Sequence, residues 1–519
     1  MDMAVIGQAL TQVFSFYNLL LIVGGLILGV VIGCIPGLSV TLGIILMLPV
    51  TYTMPSADSA IILLLAVYVG GMYGGSISAI LLNTPGTNSA IATTFDGYPL
   101  ARQGKVKKAL DTSLFASVFG GIFSALLLLF CSSLIIKLTK GFASVEYFSL
   151  AILGLTLLAG VSGDSLPKGI LSGLLGVFIS YIGYDAVTGV TRFSFGIKAL
   201  KAGIDMLPAM IALIALTQVV QKLGEFKVTK GEMEKGYAID NEGLTGKEAI
   251  SILPACTRSS IIASIIGAMP GVGGGVAQFM CYNEVRRASK HPEKFGKGSL
   301  EGVAAAESSN NAVVGSAMIP LLTLGIPGDG VTALLLGAFV LHGITPGPTM
   351  FTTQGVMAYS IILGNLAANI LLIVIGLVFT RLIAKIVQVR YTYLAPVIIT
   401  FCFAGSYAGS GNFKEMIICG AILVFSYLLT ILDVSSTPLM LGMILADIVE
   451  MNFVTSMMSY DRDLLIFFKR PISCCILILA VVLVITLMKV NARIEKLNAE
   501  QEAELRAAGT DAEPAPAEA

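Results

Sequence analysis

Long apolar runs constrain this chain more than any other feature of its sequence. They recur at 114–136, at 371–386 with an upstream extension, at 417–432 and at 472–488, and a bilayer crossing needs about 18 residues or more. Only 12% of the 519 residues are charged, against roughly 25% in a soluble domain. We therefore predict an all-α polytopic membrane protein with about 10–12 transmembrane segments.

The apolar stretch 19–32 is expected to stay in the mature protein as a membrane segment. A secretory signal carries positive residues before its apolar core, and no Lys or Arg precedes Arg102.

The longest hydrophilic interior stretch lies near the middle of the chain and suggests an extramembrane connector. The tail ends in an Ala/Glu/Pro-rich segment, a composition typical of disorder. The predicted organisation is a first membrane repeat at 1–220, a cytoplasmic connector at 221–250, a second membrane repeat at 251–490 and a cytoplasmic, partly disordered tail at 491–519.

The two halves share an order of Pro-Gly breaks. A G-x-x-P-G motif occurs at 33–37 and again at 267–271, and each is followed by a second Pro-Gly, at 85–86 and at 327–328. Apolar helical stretches follow in both halves. This weak internal symmetry is typical of transporter repeats with broken helices or re-entrant hairpins.

Charge indicates that the repeats are inverted. In the first half, the loop 51–59 has no basic residue and the loop 102–108 has four. In the second half the order reverses, because 286–297 carries five basic residues and 345–355 none. Short cytoplasmic loops are rich in Lys and Arg, so equivalent loops are expected on opposite faces, with the connector and the tail inside and the N-terminus outside.

The broken segments are the candidate functional site. Proline and glycine free backbone groups that lipid cannot satisfy, so such breaks survive where protein or a water-filled cavity receives them. The candidate substrate- and ion-binding residues are Pro36, Gly37, Ser39 and Thr41 at the first break, Asn83, Thr84, Pro85, Gly86, Thr87, Asn88 and Ser89 at the second, Pro270, Gly271, Gly273 and Gly274 at the third, and Glu307, Ser308, Ser309, Asn310, Asn311, Pro327, Gly328 and Asp329 at the fourth.

Two kinds of ligand fit these residues. A half-helix that begins after a break directs free N–H groups and a positive dipole end toward an anion. Carbonyls and side-chain oxygens can coordinate a hard cation, so a candidate site for sodium as coupling ion lies near Asp329, Asn83 and Asn311. No other metal or cofactor is expected, because the eight Cys have no C-x-x-C spacing and the two His lie far apart.

Structural roles are the alternative for several of these residues. Small residues four apart often only pack helices together, as could Gly70, Gly71, Gly74 and Gly75. Acids in a membrane segment are functional hypotheses by default, and Asp329 is the better candidate for a cation or proton, because Glu307 could instead lie near the interface.

Some residues outside the breaks could likewise have either a functional or a structural role. Asp96 could cap a helix, and Arg286, Arg287 and Lys297 fit cytoplasmic anchors better than substrate ligands.

Several of these segments together carry a family resemblance. They are Gly-Cys-Ile-Pro-Gly-Leu at 33–38, Tyr-Gly-Gly-Ser-Ile-Ser-Ala-Ile-Leu-Leu-Asn-Thr-Pro-Gly at 73–86, Asp-Gly-Tyr-Pro-Leu-Ala at 96–101, Gly-Ala-Met-Pro-Gly-Val-Gly-Gly at 267–274, Glu-Ser-Ser-Asn-Asn-Ala at 307–312 and Leu-Gly-Ile-Pro-Gly-Asp at 324–329. Over about residues 15–490, the chain resembles the large membrane subunit of bacterial tripartite tricarboxylate transporters, the TctA family.

The resemblance implies a multi-pass permease of the bacterial inner membrane that takes up carboxylates such as citrate. It implies two partners, a small four-helix membrane subunit (TctB-like) and a periplasmic solute-binding protein (TctC-like), and an ion gradient instead of ATP. The sequence agrees on the last point, because it has no G-x-x-x-x-G-K-[ST] phosphate loop.

The expected function is secondary transport of an organic anion by alternating access, with sodium or a proton as coupling ion. A channel-type anion-conducting protein is the alternative, because channels also use broken helices. An enzyme is not expected, since neither H-E-x-x-H nor G-x-S-x-G occurs. Nucleic acid is not an expected partner, and membrane lipid is.

Overall fold

A computed structural model describes residues 3–36, 38–138, 141–161, 166–185, 190–225, 242–270, 273–386 and 391–486. Helices dominate these ranges, whose two strands, Gly183–Tyr184 and Thr191–Arg192, pair antiparallel with Gly183 opposite Arg192. The predicted all-α class is confirmed. Most of the predicted connector (226–241) and all of the predicted tail (491–519) lie outside the described residues.

The helices are numbered here in chain order. They are α1 Met3–Val13, α2 Phe16–Cys34, α3 Val40–Tyr52, α4 Ala57–Leu82, α5 Ile91–Arg102, α6 Val106–Leu138, α7 Ser144–Val161, α8 Leu166–Ser180, α9 Met206–Met210, α10 Thr217–Glu225, α11 Gly246–Gly267, α12 Gly273–Ala288, α13 Leu300–Leu324, α14 Gly330–Leu341, α15 Met350–Thr353, α16 Gly355–Ile386, α17 Tyr391–Ser410, α18 Phe413–Ile431, α19 Ser436–Ser459, α20 Ile466–Lys469 and α21 Pro471–Thr486. A π-helix, Ile211–Leu216, joins α9 to α10, and short 3₁₀ helices occur at Asn88–Ala90, Lys198–Leu200 and Pro292–Lys294.

Within the described ranges, nine helical segments are long and apolar enough to cross a membrane. They are α2, α4, α6, the continuous run from α9 to α10, α11, α16, α17, α18 and α19. These segments make the chain a multi-pass membrane protein.

The chain divides into two compact units. The first comprises Met1–Gly141 and Asp205–Tyr427, and the second comprises Phe142–Ile204 and Leu428–Ala519. Each unit thus combines a segment from the first half of the chain with one from the second half.

Helix α4 is the central helix of the first unit, and its whole apolar window is buried inside protein. It packs on α2 through glycines, because a Cβ at Gly29 would lie 2.3 Å from the Val67 carbonyl oxygen and one at Gly74 2.5 Å from that of Val30. Such small-residue contacts let two membrane helices approach closely. The packing role considered for Gly70, Gly71, Gly74 and Gly75 is therefore present in the structure.

Helix α13 is the second buried helix of the first unit, and it packs against α6, α11 and α12. Ser299 caps its N-terminus by accepting from the Gly302 N–H. Unlike α4, it buries a polar run at its centre, residues 307–311, none of which is exposed.

The second unit is built around α19, which packs against α7 and α8. An apolar cavity of about 200 Å³ lies among these helices and α21. Three buried or half-buried acids have guanidinium partners here. Arg470 Nε donates to Glu146, at 2.5 Å, Arg192 binds Glu450 through two hydrogen bonds of 2.8 and 3.1 Å, and Arg192 also lies 3.2 Å from Asp185.

Candidate functional site

The two breaks that follow the buried helices have the same local geometry. Helix α4 ends at Asn83 with φ 54°, and α13 ends at Gly325 with φ 73°. The left-handed conformation stops a helix cleanly, and in each case Pro-Gly follows two residues later. The chain then re-enters a short helix, α5 or α14. The repeated order found in the sequence thus has a repeated conformation.

The first and second breaks are in contact. The Gly86 N–H donates to the Gly75 carbonyl at 3.2 Å, and a Cβ at Gly86 would lie 2.0 Å from the Gly33 carbonyl oxygen. Thr87 lies against Gly75, whose Cβ would come within 2.8 Å of it. Because backbone meets backbone here, a side chain at Gly86 cannot be accommodated without movement of α2 or α4.

The second and third breaks are also in contact. A Cβ at Gly274 would lie 2.4 Å from Ser89 Oγ, and Gln278 Oε1, one turn later on α12, accepts from the Ala92 N–H at 2.9 Å. The starts of α5 and α12 therefore converge. Gly37 and Gly271, at the tips of the first and third breaks, lie outside the described residues.

The polar residues of the first break form hydrogen bonds with α10, a helix that holds none of the candidate residues. Ser39 Oγ donates to Gln218 Oε1 at 2.8 Å, and Ser39 and Thr41 hydroxyls lie 2.5 Å apart. Gln218 follows the π-helix 211–216 in α10, a deviation frequently found at functional sites. In the sequence, Gln218 is a polar residue just after the apolar run 206–216.

Glu307 lies inside protein and not at an interface, because its side chain has no exposure. Its carboxylate accepts from the Thr93 hydroxyl, in a short contact, and from Ser117 Oγ at 2.9 Å. Gln278 Nε2 donates to Thr93 Oγ1 and to the Ala306 carbonyl. Thr93 and Ser117 were not among the candidate residues, since isolated hydroxyls in apolar helices usually bond only their own backbone.

The side chains of the polar run after Glu307 differ in whether they have hydrogen-bond partners. Ser308 and Ser309 donate to carbonyls of their own helix, and Asn310 Nδ2 donates to the Met72 carbonyl at 3.2 Å. Asn311 is buried, and neither atom of its amide has a hydrogen-bond partner in the described part of the chain. Buried amides of this kind need a partner such as water or an ion.

Asp329 caps a helix. Its carboxylate accepts from the Thr332 N–H at 2.8 Å and its own N–H donates to Thr332 Oγ1 at 2.8 Å, which forms a capping box at the start of α14. The Thr332 hydroxyl also lies 2.7 Å from the carboxylate as a donor. The Tyr68 hydroxyl of α4 donates to the second oxygen at 2.9 Å. Pro327 and Gly328 are buried beside it, with Gly328 against Ala317.

The three residues expected near sodium are not brought to one point. Asn83 is exposed at the end of α4, and Asp329 binds Tyr68, 15 residues earlier on the same helix, a separation of roughly 22 Å along the axis. Asn311 lies within α13. In the described ranges, moreover, no group of three His, Cys, Asp or Glu side chains could hold a metal ion.

The remaining candidates are at least partly accessible at the breaks. Thr84 and Asn88 are exposed, while Pro36, Pro85, Ser89 and Pro270 are half-buried. Gly273 is the first residue of α12.

Asp96 has the structural role considered for it. Its Oδ1 accepts from the backbone N–H groups of Lys297, Gly298 and Ser299 at 3.1, 2.9 and 2.7 Å, and Tyr282 donates to Oδ2 at 2.8 Å. Burial raises the pKa of Asp96, and the Ser299 and Tyr282 hydrogen bonds oppose that shift. The carboxylate thereby fixes the loop ahead of α13. The Lys297 side chain in this loop is exposed, as are those of Arg286 and Arg287 in the last turn of α12.

Known proteins agree with the family resemblance. The model of the family described as "Tripartite tricarboxylate transporter TctA family" matches residues 19–441. The "Uncharacterized 52.8 kDa protein in TAR-I ttuC' 3'region" of Agrobacterium vitis is 33% identical over 481 residues, which cover 92% of this chain and 95% of that protein. The "Uncharacterized protein in TAR-II ttuC' 3'region" of the same organism is 36% identical over 222 residues, 43% of this chain and 92% of that protein.

No solved structure matches this chain. The family match covers most of the sequence, including all four breaks. The chain therefore belongs to the TctA family of tripartite tricarboxylate transporters and is a membrane component of such a system.

Proposed function

We propose that this chain is the permease subunit of a solute-binding-protein-dependent secondary transporter in the bacterial inner membrane. It imports a tricarboxylate or a related organic carboxylate and couples this import to a sodium or proton gradient. The observation that carries the proposal is the convergence of the first three Pro-Gly breaks, where Gly86 meets Gly33 and Gly274 meets Ser89.

An anion fits this convergence. Helices α5 and α12 both begin there, and the first N–H groups of a helix have no partner in the helix itself. Two helix starts that meet at one place can each present a positive dipole end there, which favours a carboxylate. Exposed side chains of Asn83, Thr84 and Asn88 offer further donors at its edge.

Alternating access is supported by the matched halves. The order of a long helix, a break and a shorter helix occurs twice in each half, in α2–α3 and α4–α5 and again in α11–α12 and α13–α14. Together with the reversed distribution of basic loops, this order supports two inverted repeats. Rocking of one repeat against the other would then expose a fixed site to each side in turn.

The partners follow from the tripartite family. We propose a small four-helix membrane subunit (TctB-like) and a periplasmic solute-binding protein (TctC-like) that delivers the carboxylate. No ATP-driven step is required, because the gradient supplies the energy.

Gly274→Ala tests the site. The new Cβ would displace Ser89, so saturable citrate uptake by proteoliposomes with both partner subunits should fall at least several-fold. Gly24→Ala is the matched control, because nothing lies within 4 Å of a Cβ there, and it should transport like the unsubstituted protein. Equal uptake by both variants, at equal protein recovery, would remove the convergence of the breaks from the proposal.

A further inference from the structure

Glu307 is a buried acid without a basic partner. No Lys, Arg or His lies within ion-pair distance of it in the described ranges, whereas the buried Glu146 of the second unit binds Arg470. An unpaired charge in an apolar interior costs several kcal/mol. The carboxyl of Glu307 must therefore be neutralised, by a proton or by a bound cation, whenever the protein adopts this packing.

The helices around Glu307 supply hydroxyls and amides instead of charges. Thr93 of α5 and Ser117 of α6 donate to it. Among the other titratable groups on these helices, Asp96 binds Tyr282 and Asp111 accepts from the Leu244 N–H. Cys256 and Cys281 are buried thiols.

The contacts favour a proton over a sodium ion. A metal cation would sit between the carboxylate and its neighbouring oxygens and separate them. Here both hydroxyl oxygens are already at hydrogen-bond distance from the carboxylate. Because a hydroxyl can accept as well as donate, a neighbouring hydroxyl can rotate to accept from the protonated carboxyl, so the pocket holds a proton without movement of its heavy atoms.

The pocket is connected to the proposed anion site. Gln278 Nε2 donates to the Thr93 hydroxyl at 3.2 Å, and its Oε1 accepts from the Ala92 N–H at 2.9 Å. One amide thus joins the Glu307 pocket to the starts of α5 and α12. A negative charge on Glu307 would oppose a carboxylate at those helix starts, and protonation removes that opposition.

We propose that Glu307 is the proton carrier that couples carboxylate import to the pH gradient. A proton from the acidic outer side binds the Glu307 carboxylate, as a new O–H bond, when the anion binds. This O–H bond breaks on the inner side after the anion has been released, so one proton enters per cycle. This inference rests on the proposed function and names the coupling group within the same site.

The unsubstituted protein provides the first test. Proteoliposomes with both partner subunits, free of sodium and with the membrane potential held at zero, receive citrate under an inward gradient of about one pH unit. We expect about tenfold accumulation for each proton carried, with acidification of the lumen reported by a trapped pH dye. A parallel sample receives an inward sodium gradient and no pH gradient. Accumulation in that sample, combined with none under the pH gradient, would overturn the role of Glu307 but leave the proposed function standing. Absence of gradient-driven uptake across a panel of carboxylates would contradict the proposed function itself.

Glu307→Gln is the second test, because glutamine imitates the protonated acid in shape and hydrogen bonding. Exchange of labelled for unlabelled citrate should persist, and this exchange also shows that the variant is folded. The ratio of internal to external citrate under the pH gradient should fall to one. Glu284→Gln, the same change at an exposed position of α12, should accumulate citrate like the unsubstituted protein. Full pH-driven accumulation by Glu307→Gln would overturn the proposal. If that variant does not fold, the lumenal pH measured with the unsubstituted protein still tests whether a proton enters with citrate.

Discussion

At the scale of single residues, Asp329 and Glu307 differ in their hydrogen-bond partners in a way that their sequence contexts did not suggest. The glycines and apolar run around Asp329 favoured it as the cation or proton group, yet it has three donors and caps α14. Glu307 accepts from the neutral hydroxyls of Thr93 and Ser117 and has no basic partner in the described ranges. The sequence could identify both acids but not their partners, because Tyr68 is 261 residues from Asp329 and Thr93 is 214 residues from Glu307.

Substitution of Asp329 should act mainly on stability. Asp329→Ala removes a helix cap, worth about 1 kcal/mol, and leaves the buried Tyr68 hydroxyl without an acceptor, at about 1–3 kcal/mol. Asp329→Asn keeps an acceptor for the Thr332 N–H and should lose less. Thermal stability in detergent, followed by size-exclusion recovery, should rank the unsubstituted protein above Asn and Asn above Ala. Equal recovery of all three at every temperature would show that the cap contributes nothing.

At the scale of elements, the apolar runs located the lipid-facing helices well. The run 114–136 falls within α6, 371–386 with its extension within α16, 417–432 largely on α18, and the described part of 472–488 on α21. The π-helix 211–216 was not predicted, because it depends on how α9 and α10 pack against their neighbours and not on composition. The hydrogen bonds that link α5, α6, α12 and α13 were not predicted either, because they also depend on tertiary packing.

The glycines of α2 give a prediction at this scale. Gly29→Ala would force a Cβ to 2.3 Å from the Val67 carbonyl and separate α2 from α4, whereas Gly24→Ala meets nothing within 4 Å. We expect Gly29→Ala to lower the yield of folded protein strongly, and Gly24→Ala to leave it unchanged or slightly raised because alanine favours helix. Equal yields for the two variants would mean that α2 and α4 do not pack as described.

At the scale of the whole molecule, the inverted repeat stays a prediction. Each half contributes segments to both compact units, and the broken helices recur in the same order. Neither observation shows on which side of the membrane a given loop lies. The distribution of basic residues among the loops is the evidence for that. The sequence could supply this argument because the energetics of loop charge act locally, before tertiary packing exists.

Labelling from one side of the membrane tests the inversion. Thr53→Cys and Thr352→Cys, in loops without basic residues, should react with an impermeant maleimide added from the periplasm. Gln103→Cys and Lys290→Cys, in basic loops, should react only after permeabilisation. Reaction of Thr53→Cys and Lys290→Cys from the same side would instead indicate parallel repeats.

The central claim is that this chain is a gradient-driven carboxylate permease, and accumulation above equilibrium tests it most directly. Purified protein with its two partner subunits in proteoliposomes, without ATP, should raise internal citrate or a related carboxylate several-fold above the external concentration while a proton or sodium gradient persists. Internal carboxylate should fall back to the external level when an ionophore dissipates the gradient. Internal carboxylate that never exceeds the external level, with a flux that follows only the carboxylate gradient, would contradict this account and indicate a channel.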